Sequence, residues 1–304
     1  MTKKLITIVI ALISLNGQSK SLCGFEKSFY EHIGFKPKTS RLTKKIKIAV
    51  VDLFIANHPC RELIDIDQKS AKRPIGELAM KFTKGSNKFH GLQMTLAIQA
   101  INPSAEVKFF PLTDLGDLGT AQVIKEAVDW GADLINYSIE GSSYFKHEHN
   151  AFKYAKAKGV TIIGAAGNDE NNLDTFPAYP ANYKKTGLDN LIVVTTQTSA
   201  VGNYSDRLVQ FETYGTKVPS ASTLGHTPST GSSIATAITT GALSYLLSRF
   251  PTNSQQERLA LLKNISKGGT GRSQYGSIDL SKLNKSERDT RSTLASLGVE
   301  KSNQ

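Results

Sequence analysis

The chain has 304 residues, of which 39% are hydrophobic and 21% are charged. This composition excludes an intrinsically disordered chain, and the length suits one large domain or two small ones. The formal net charge of +11 favours attraction to anionic surfaces. No zinc-ligand spacing, aromatic-interleaved basic run or RNA-binding signature accompanies that charge, so we expect no specific nucleic-acid partner.

The N-terminus has the layout of a secretory signal peptide. Lys3 and Lys4 precede an apolar run, Leu5 to Leu15, which is followed by small and polar residues. The run is well short of the roughly 20 residues that span a bilayer, and a retained membrane anchor is the alternative. We expect residues 1–21 to be removed and the protein to be secreted or periplasmic. Removal of Lys3, Lys4 and Lys20 lowers the formal charge from +11 to +8.

The chain contains two cysteines, Cys23 and Cys60. In an oxidising compartment they could form a disulfide, and two unpaired thiols are the alternative. The spacing of the two residues does not decide between them.

Short apolar runs alternate with helical patterns along the middle of the chain. This alternation predicts βαβ units, with a parallel sheet and helices on its faces. The predicted strands are IKIAVVD (46–52), EVKFFPL (106–112), DLINYS (133–138), VTIIGAA (160–166) and NLIVVTT (190–196).

Four helices are predicted between and after these strands. One begins at His90, one lies near residues 120–130, one covers residues 151–158 and ends at Gly159, and the longest begins near Ser233. The longest is rich in small residues and is expected to be buried. We interpret the chain as a short N-terminal lead-in (22–44), one domain (45–283) and a polar C-terminal tail (284–304).

Four polar residues lie at positions where ligands bind in a sheet of this kind. Asp52 ends the first strand, Asn168 follows the fourth, and His90 and Ser233 begin helices. Strand carboxyl ends and helix N-termini meet at one edge of an open α/β sheet. Nucleophilic acyl transfer needs a hydroxyl, an imidazole, a carboxylate and a donor for the oxyanion. Taken alone, each residue is a weak signal, and Ser233 by itself reads as a helix cap.

The sequence around these residues resembles the subtilisin-like serine proteases (subtilases, peptidase family S8) over residues 45–283. The order Asp, His, Ser is that of subtilisin. The resemblance implies a three-layer α/β fold with a mostly parallel central sheet and helices on both faces. The matching segments are IKIAVVD with HP at 58–59, HGLQMTLAIQAINPSAEVKFFPL (90–112), GADLINYSIEG (131–141), GVTIIGAAGND (159–169), FPAYPANY (176–183), STGSSIATAITTGALSYLLSRFP (229–251) and QYGSIDLSKL (274–283).

The resemblance also implies roles for individual residues. Ser233 would be the nucleophile, His90 the general base, and Asp52 the carboxylate that orients His90. The side-chain amide of Asn168 and the backbone N–H of Ser233 would stabilise the oxyanion. Two segments would bind the substrate. Its backbone would add as a strand along Ser138, Ile139, Glu140 and Gly141, and the adjacent side-chain pocket would be lined by Ala165, Ala166 and Gly167.

The sequence departs from the family pattern beside these residues. Leu53 and Phe54 follow the aspartate where Ser or Thr and then Gly are usual, and Gln93 replaces a histidine. Ala237 stands where the family has proline, and Glu140 stands where it has glycine. Glu140 would favour peptides with Lys or Arg near the scissile bond; a solvent-facing side chain with no role in specificity is the alternative.

The implied chemistry requires no cofactor and no metal ion. Asp169, Glu170 and Asp174 form an acidic loop beside Asn168 that could bind structural calcium, and a solvated loop is the alternative. Expected partners are protein or peptide substrates, with electrostatic attraction to anionic surfaces, and we expect a monomer.

Together these observations predict a secreted serine endopeptidase that works through an acyl-enzyme intermediate. The alternative is a catalytically impaired, subtilase-like pseudoenzyme that binds peptides or an anionic surface. The altered flanking residues and the basic charge support it, as does a lead-in of residues 22–44 that is too short for the family's propeptide domain. A non-proteolytic acyl hydrolase with the same residues is a third candidate.

Overall fold

The computed structural model describes residues 27–38, 43–53, 58, 60–61, 64–82, 89–197, 201–219, 228–284 and 292. These residues form one sheet with nine strands, numbered in chain order: β1 (Lys47–Leu53), β2 (Asp65–Ile66), β3 (Glu106–Leu112), β4 (Leu134–Tyr137), β5 (Thr161–Ala165), β6 (Leu191–Thr196), β7 (Phe211–Thr213), β8 (Ser266–Lys267) and β9 (Ser277–Ile278). Their spatial order is β2-β3-β1-β4-β5-β6-β7-β9-β8. Neighbours are parallel except for the antiparallel pair β8 and β9.

All five predicted strands are present, as β1, β3, β4, β5 and β6, and their ends agree within one residue. Every residue of β4, β5 and β6 is buried, and so is every residue of β1 except Lys47. Strands buried on both faces read as continuous apolar runs, which is why they are visible in the sequence.

Helices cover both faces of the sheet, which confirms the three-layer α/β fold. They are α1 (Lys27–Ile33), α2 (Gln68–Ala71), α3 (Glu77–Phe82), α4 (His90–Ile101), α5 (Asp117–Asp129), α6 (Lys146–Ala157), α7 (Ser232–Arg249) and α8 (Gln255–Asn264), with 3-10 helices at Ala181–Thr186 and Leu280–Asn284. The apolar sides of α4 and α7 share one core with one face of the sheet, and those of α5 and α6 share a second core with the other face.

Helix α7 is the central element of the first layer. Each of its residues except Ser233 and Arg249 is buried. Its small residues allow close packing on α4, since a Cβ atom on Gly241 would lie 2.9 Å from the Cβ of Ile101. The prediction of a buried helix from this small-residue pattern is confirmed.

The described part of the lead-in is structured. Helix α1 buries Phe29 and Ile33 in the same core as α4 and α7. Cys60 is buried and disulfide-bonded. The chain has one other cysteine, Cys23, which lies outside the described residues, as does the expected signal peptide, residues 1–21. Within the described ranges, no helix is both long and apolar enough to cross a membrane.

The strand order fixes where a ligand can bind. Strand β1 lies between β3 and β4, so the chain moves to one side of β1 first and then to the other. This reversal opens a crevice at the carboxyl end of β1, where ligands bind in open α/β sheets.

Candidate active site

Asp52 lies at the carboxyl end of β1 and is completely buried. Its Oδ1 accepts a hydrogen bond from the backbone N–H of Leu53 at 2.6 Å. Among the described residues, Oδ2 has no hydrogen-bond partner. A buried carboxylate with an open acceptor position is costly unless a positive or polar group faces it.

His90, the first residue of α4, faces that carboxylate. Its Nδ1 lies 2.7 Å from Asp52 Oδ1, and 17% of the His90 side chain is exposed. The contact assigns the proton of the neutral ring to Nδ1 and leaves Nε2 as an acceptor. Burial lowers the pKa of His90, but the charge and the hydrogen bond of Asp52 outweigh it, so the pKa is raised from its ordinary value.

Gly91 explains how His90 reaches Asp52. A Cβ atom at this position would lie 2.4 Å from Cε2 of Phe109 and 3.0 Å from the carbonyl oxygen of Leu53. A side chain would therefore push the start of α4 away from β1 and β3, and the imidazole would move with it.

Ser233, at the start of α7, is bound to the end of β4. Its Oγ donates to the carbonyl of Ser138 at 3.1 Å, and Ser138 Oγ donates to the carbonyl of Ser233 at 3.1 Å. Asn136 extends the connection by donating to Ser138 Oγ at 3.0 Å, and Thr240 donates to Asn136 Oδ1 at 3.0 Å. Ser233 and His90 line one cavity of about 400 Å³. The structure thus brings them together, with the serine proton directed at Ser138.

Asn168 lines the same cavity, and its side chain has a fixed orientation. Its Oδ1 accepts from the backbone N–H of Ser232 at 2.7 Å, so the Nδ2 donors are left for the cavity. Gly231 makes room for this contact. It has φ of 143°, and a Cβ there would lie 2.9 Å from Asn168 Oδ1.

Ser232 is buried and holds the neighbouring loop. Its Oγ accepts from the backbone N–H of Gly167 at 3.1 Å, and its carbonyl accepts from Thr236 Oγ1 at 2.8 Å. These contacts connect the β5–Asn168 segment to the first turn of α7. Ser232 therefore supports the site while Ser233 faces the cavity.

The substrate-binding residues expected from the sequence divide into two groups. Ser138, Ile139, Glu140 and Gly141 line the cavity, whereas Ala165, Ala166 and Gly167 are buried and do not line it. Ile139 and Glu140 form no backbone–backbone hydrogen bond with the described residues. Their backbone groups are free to pair with an extended peptide.

The departures from the family pattern are accommodated. Leu53 lines the cavity, and Gln93 accepts a hydrogen bond from Ser229 Oγ at 3.0 Å. Helix α7 begins at Ser232 with Ala237 in place of proline. Phe54 lies outside the described residues.

One carboxylate of the acidic loop, Asp174, is bound by neighbouring protein groups. Asp174 accepts from Ser205 Oγ at 3.0 Å and forms an ion pair with Arg207 at 2.8 Å. Across the described residues, no group of three or more His, Cys, Asp or Glu side chains is arranged to hold a metal ion.

Glu148 is a cavity residue that the sequence analysis missed. It lies on α6, where it is 5% exposed, and it lines the cavity with Tyr137. The pKa of Glu148 is raised to about 7. Burial and the charge of Asp117 raise it, and the hydrogen bonds with Tyr137 and Tyr183 act in the opposite direction. Its position one turn before Phe152 on an apolar helix face was the available signal.

Glu148→Gln should stabilise the protein increasingly as the pH rises. The folded state holds the Glu148 proton up to about pH 7, whereas the unfolded carboxyl releases it near its ordinary value of 4.5. Wild-type stability therefore falls between these values, by about 3 kcal/mol at most. Urea unfolding at pH 5 and pH 8 measures the difference. A stability gain of equal size at both values would contradict the assignment.

Comparison with known sequences supports one family. Residues 43–279 match the model of the subtilase family. The chain is 26% identical to the minor extracellular protease Epr of Bacillus subtilis over 277 residues, which is 86% of this chain and 41% of that protein. It is 26% identical to subtilisin DY of Bacillus licheniformis over 181 residues, which is 55% of this chain and 62% of that protein. The chain thus spans less than two thirds of the length of either relative.

Solved structures show the same fold. The subtilase cytotoxin SubAB assembly contains a chain that matches with a TM-score of 0.66 at 15% identity, over 90% of this chain and 99% of that one. The epidermin leader peptide processing serine protease of Staphylococcus aureus matches with a TM-score of 0.63 at 15% identity, over 85% of this chain and 81% of that one. Since the family model covers most of the sequence, this chain belongs to the subtilase family.

Proposed function

We propose that this protein is a secreted serine endopeptidase with Asp52, His90 and Ser233 as its catalytic triad. The observation that carries the proposal is the hydrogen bond between buried Asp52 and His90, where His90 lines the same cavity as Ser233 and Asn168. Membership of the subtilase family and a relative named as an extracellular protease agree with this reaction class.

The first half-reaction begins at Ser233. Its hydroxyl turns from the Ser138 carbonyl to His90, and Nε2 takes the proton as Oγ attacks the scissile carbonyl carbon. The charge that develops on the carbonyl oxygen is stabilised by Asn168 Nδ2 and by the backbone N–H of Ser233. Asp52 stabilises the imidazolium throughout.

Collapse of the tetrahedral intermediate breaks the C–N bond and forms the acyl-enzyme. The imidazolium of His90 gives its proton to the departing amine. Water then attacks the acyl carbon while His90 removes one of its protons. The second tetrahedral intermediate breaks its bond to Ser233 Oγ, His90 returns the proton to that oxygen, and the carboxylic acid is released. This chemistry uses side chains of the chain itself and calls for no cofactor.

Export and domain organisation are part of the proposal. Residues 1–21 act as a signal peptide, residues 45–283 form the peptidase domain, and residues 284–304 form the tail. The disulfide at Cys60 supports an oxidising compartment, and one relative is named as an extracellular protease. The mature protein acts as a monomer on protein or peptide substrates.

The direct test is a fluorophosphonate probe, which labels serine nucleophiles that a neighbouring base has activated. Wild-type protein should be labelled, and Ser233→Ala and His90→Ala should not. Ser281→Ala, at an exposed position that does not line the cavity, is the control and should be labelled like wild type. A casein digest with the same proteins separates proteolysis from other acyl transfer. Absence of labelling in folded wild-type protein would support the non-catalytic peptide-binding alternative.

Asn168 has separable positioning and donor functions. Asn168→Ala removes both, and kcat should fall by roughly 10²- to 10³-fold, the magnitude established for one oxyanion donor in subtilisin. Asn168→Asp keeps an acceptor for the Ser232 N–H but has no amide donor, so it should retain more thermal stability than the alanine variant and lose at least as much kcat. Near wild-type kcat in either variant would remove Asn168 from the mechanism.

A further inference from the structure

The side chain of Glu140 turns into the cavity rather than toward solvent. The residue is half-buried and lines the cavity together with His90 and Ser233. Its Oε2 lies above Gly167, since a Cβ atom on that glycine would be 2.7 Å from this oxygen. The carboxylate therefore reaches across from the segment after β4 to the segment after β5.

Two features of the opposite segment hold the carboxylate in place. Gly167 has φ of 102° and no side chain, so its backbone accepts the close approach. The backbone N–H of Asn168 faces this carboxylate and favours its charged form, which lowers the pKa of Glu140. The carboxylate thus lies directly beside the residue proposed to bind the oxyanion.

Within the part of the chain that the structure describes, this carboxylate has no cationic partner. Loss of hydration raises the pKa of Glu140, repulsion from Asp169 raises it further, and the Asn168 N–H opposes both. Among the described residues, no Lys, Arg or His lies within ion-pair distance of Glu140. The neighbouring charge is another carboxylate, so this part of the cleft favours a cation.

We propose that Glu140 selects substrates by pairing with a Lys or Arg side chain on the residue that supplies the scissile carbonyl. This inference rests on the proposed function. A peptide that pairs with the backbone of Ile139 and Glu140, with its scissile carbonyl oxygen at Asn168, would direct the side chain of that residue toward the Glu140 carboxylate beside Gly167. A large neutral side chain has to displace the Glu140 carboxylate, whereas a cationic one gains it as a partner.

Charge pairing at Glu140 also affects the chemical step. A free carboxylate beside Asn168 disfavours the negative charge that develops on the carbonyl oxygen. A bound cationic side chain neutralises the carboxylate, so the preference extends to kcat and is not confined to KM. An effect of Glu140 on kcat as well as on KM distinguishes a residue that determines specificity from one that only supports the structure.

The experiment compares two peptides that differ at one residue, arginine in one and its neutral isostere citrulline in the other. Wild-type kcat/KM should favour arginine by about 10- to 100-fold, the usual range for a charge-assisted hydrogen bond in a partly buried site. Glu140→Gln keeps the shape of the side chain and should bring the ratio close to one. Glu170→Gln, which removes an exposed carboxylate from the nearby loop, should leave the ratio as in wild type.

A measurement of peptide binding tests the proposal without turnover. In a Ser233→Ala background, the dissociation constants of the two peptides should show the same preference, and Glu140→Gln should abolish it. If the fluorophosphonate does not label wild-type protein but this binding preference is present, the proposed catalysis is overturned and the role of Glu140 in binding still holds. Equal binding and cleavage of the two peptides, or a preference that persists in Glu140→Gln, would overturn the proposal.

Discussion

The hydrogen bond between Asp52 and His90 is the interaction on which the rest of the site depends. It joins the end of the central strand β1 to the first residue of α4 across 2.7 Å. Asp52 is completely buried, and a buried carboxylate needs a charged or polar partner close by. The contact with Asp52 orients the imidazole, selects its tautomer and raises its pKa, which agrees with the proposed role of His90 as general base.

The fold supplies the geometry around this pair. The reversal of strand order beside β1 opens the crevice, and reciprocal hydrogen bonds between Ser138 and Ser233 fix the start of α7 against the end of β4. Asn168 is fixed to the same turn of α7 through Ser232. Three segments that are distant in the sequence therefore reach one cavity on rigid elements, and mobile loops are not needed to assemble it.

The sequence predicted the strands well because those strands are buried on both faces and carry no competing pattern. It also predicted that Asp52, His90, Asn168 and Ser233 lie close together, since each stands at the end of such a strand or at the start of a helix. His90, Asn168 and Ser233 line one cavity, and His90 contacts Asp52. The direction of the Glu140 side chain depends on Gly167 and on a backbone N–H far along the chain, which no local pattern encodes. Glu148 was missed because the first turn of α6 is polar in sequence. The helix begins at Lys146 rather than at the predicted residue 151, so Glu148 was not assigned to the apolar face of the helix.

The most direct test of the Asp52–His90 pair is an NMR titration of the His90 imidazole. Protein with the Ser233→Ala change and ¹⁵N-labelled histidine is suitable because it cannot digest itself, and a His90→Gln sample assigns the signal among the six histidines. We expect a His90 pKa above the ordinary value of 6.5, and a clearly lower pKa when Asp52→Asn removes the charge. A His90 pKa at or below 6.5 that does not respond to Asp52→Asn would contradict this expectation.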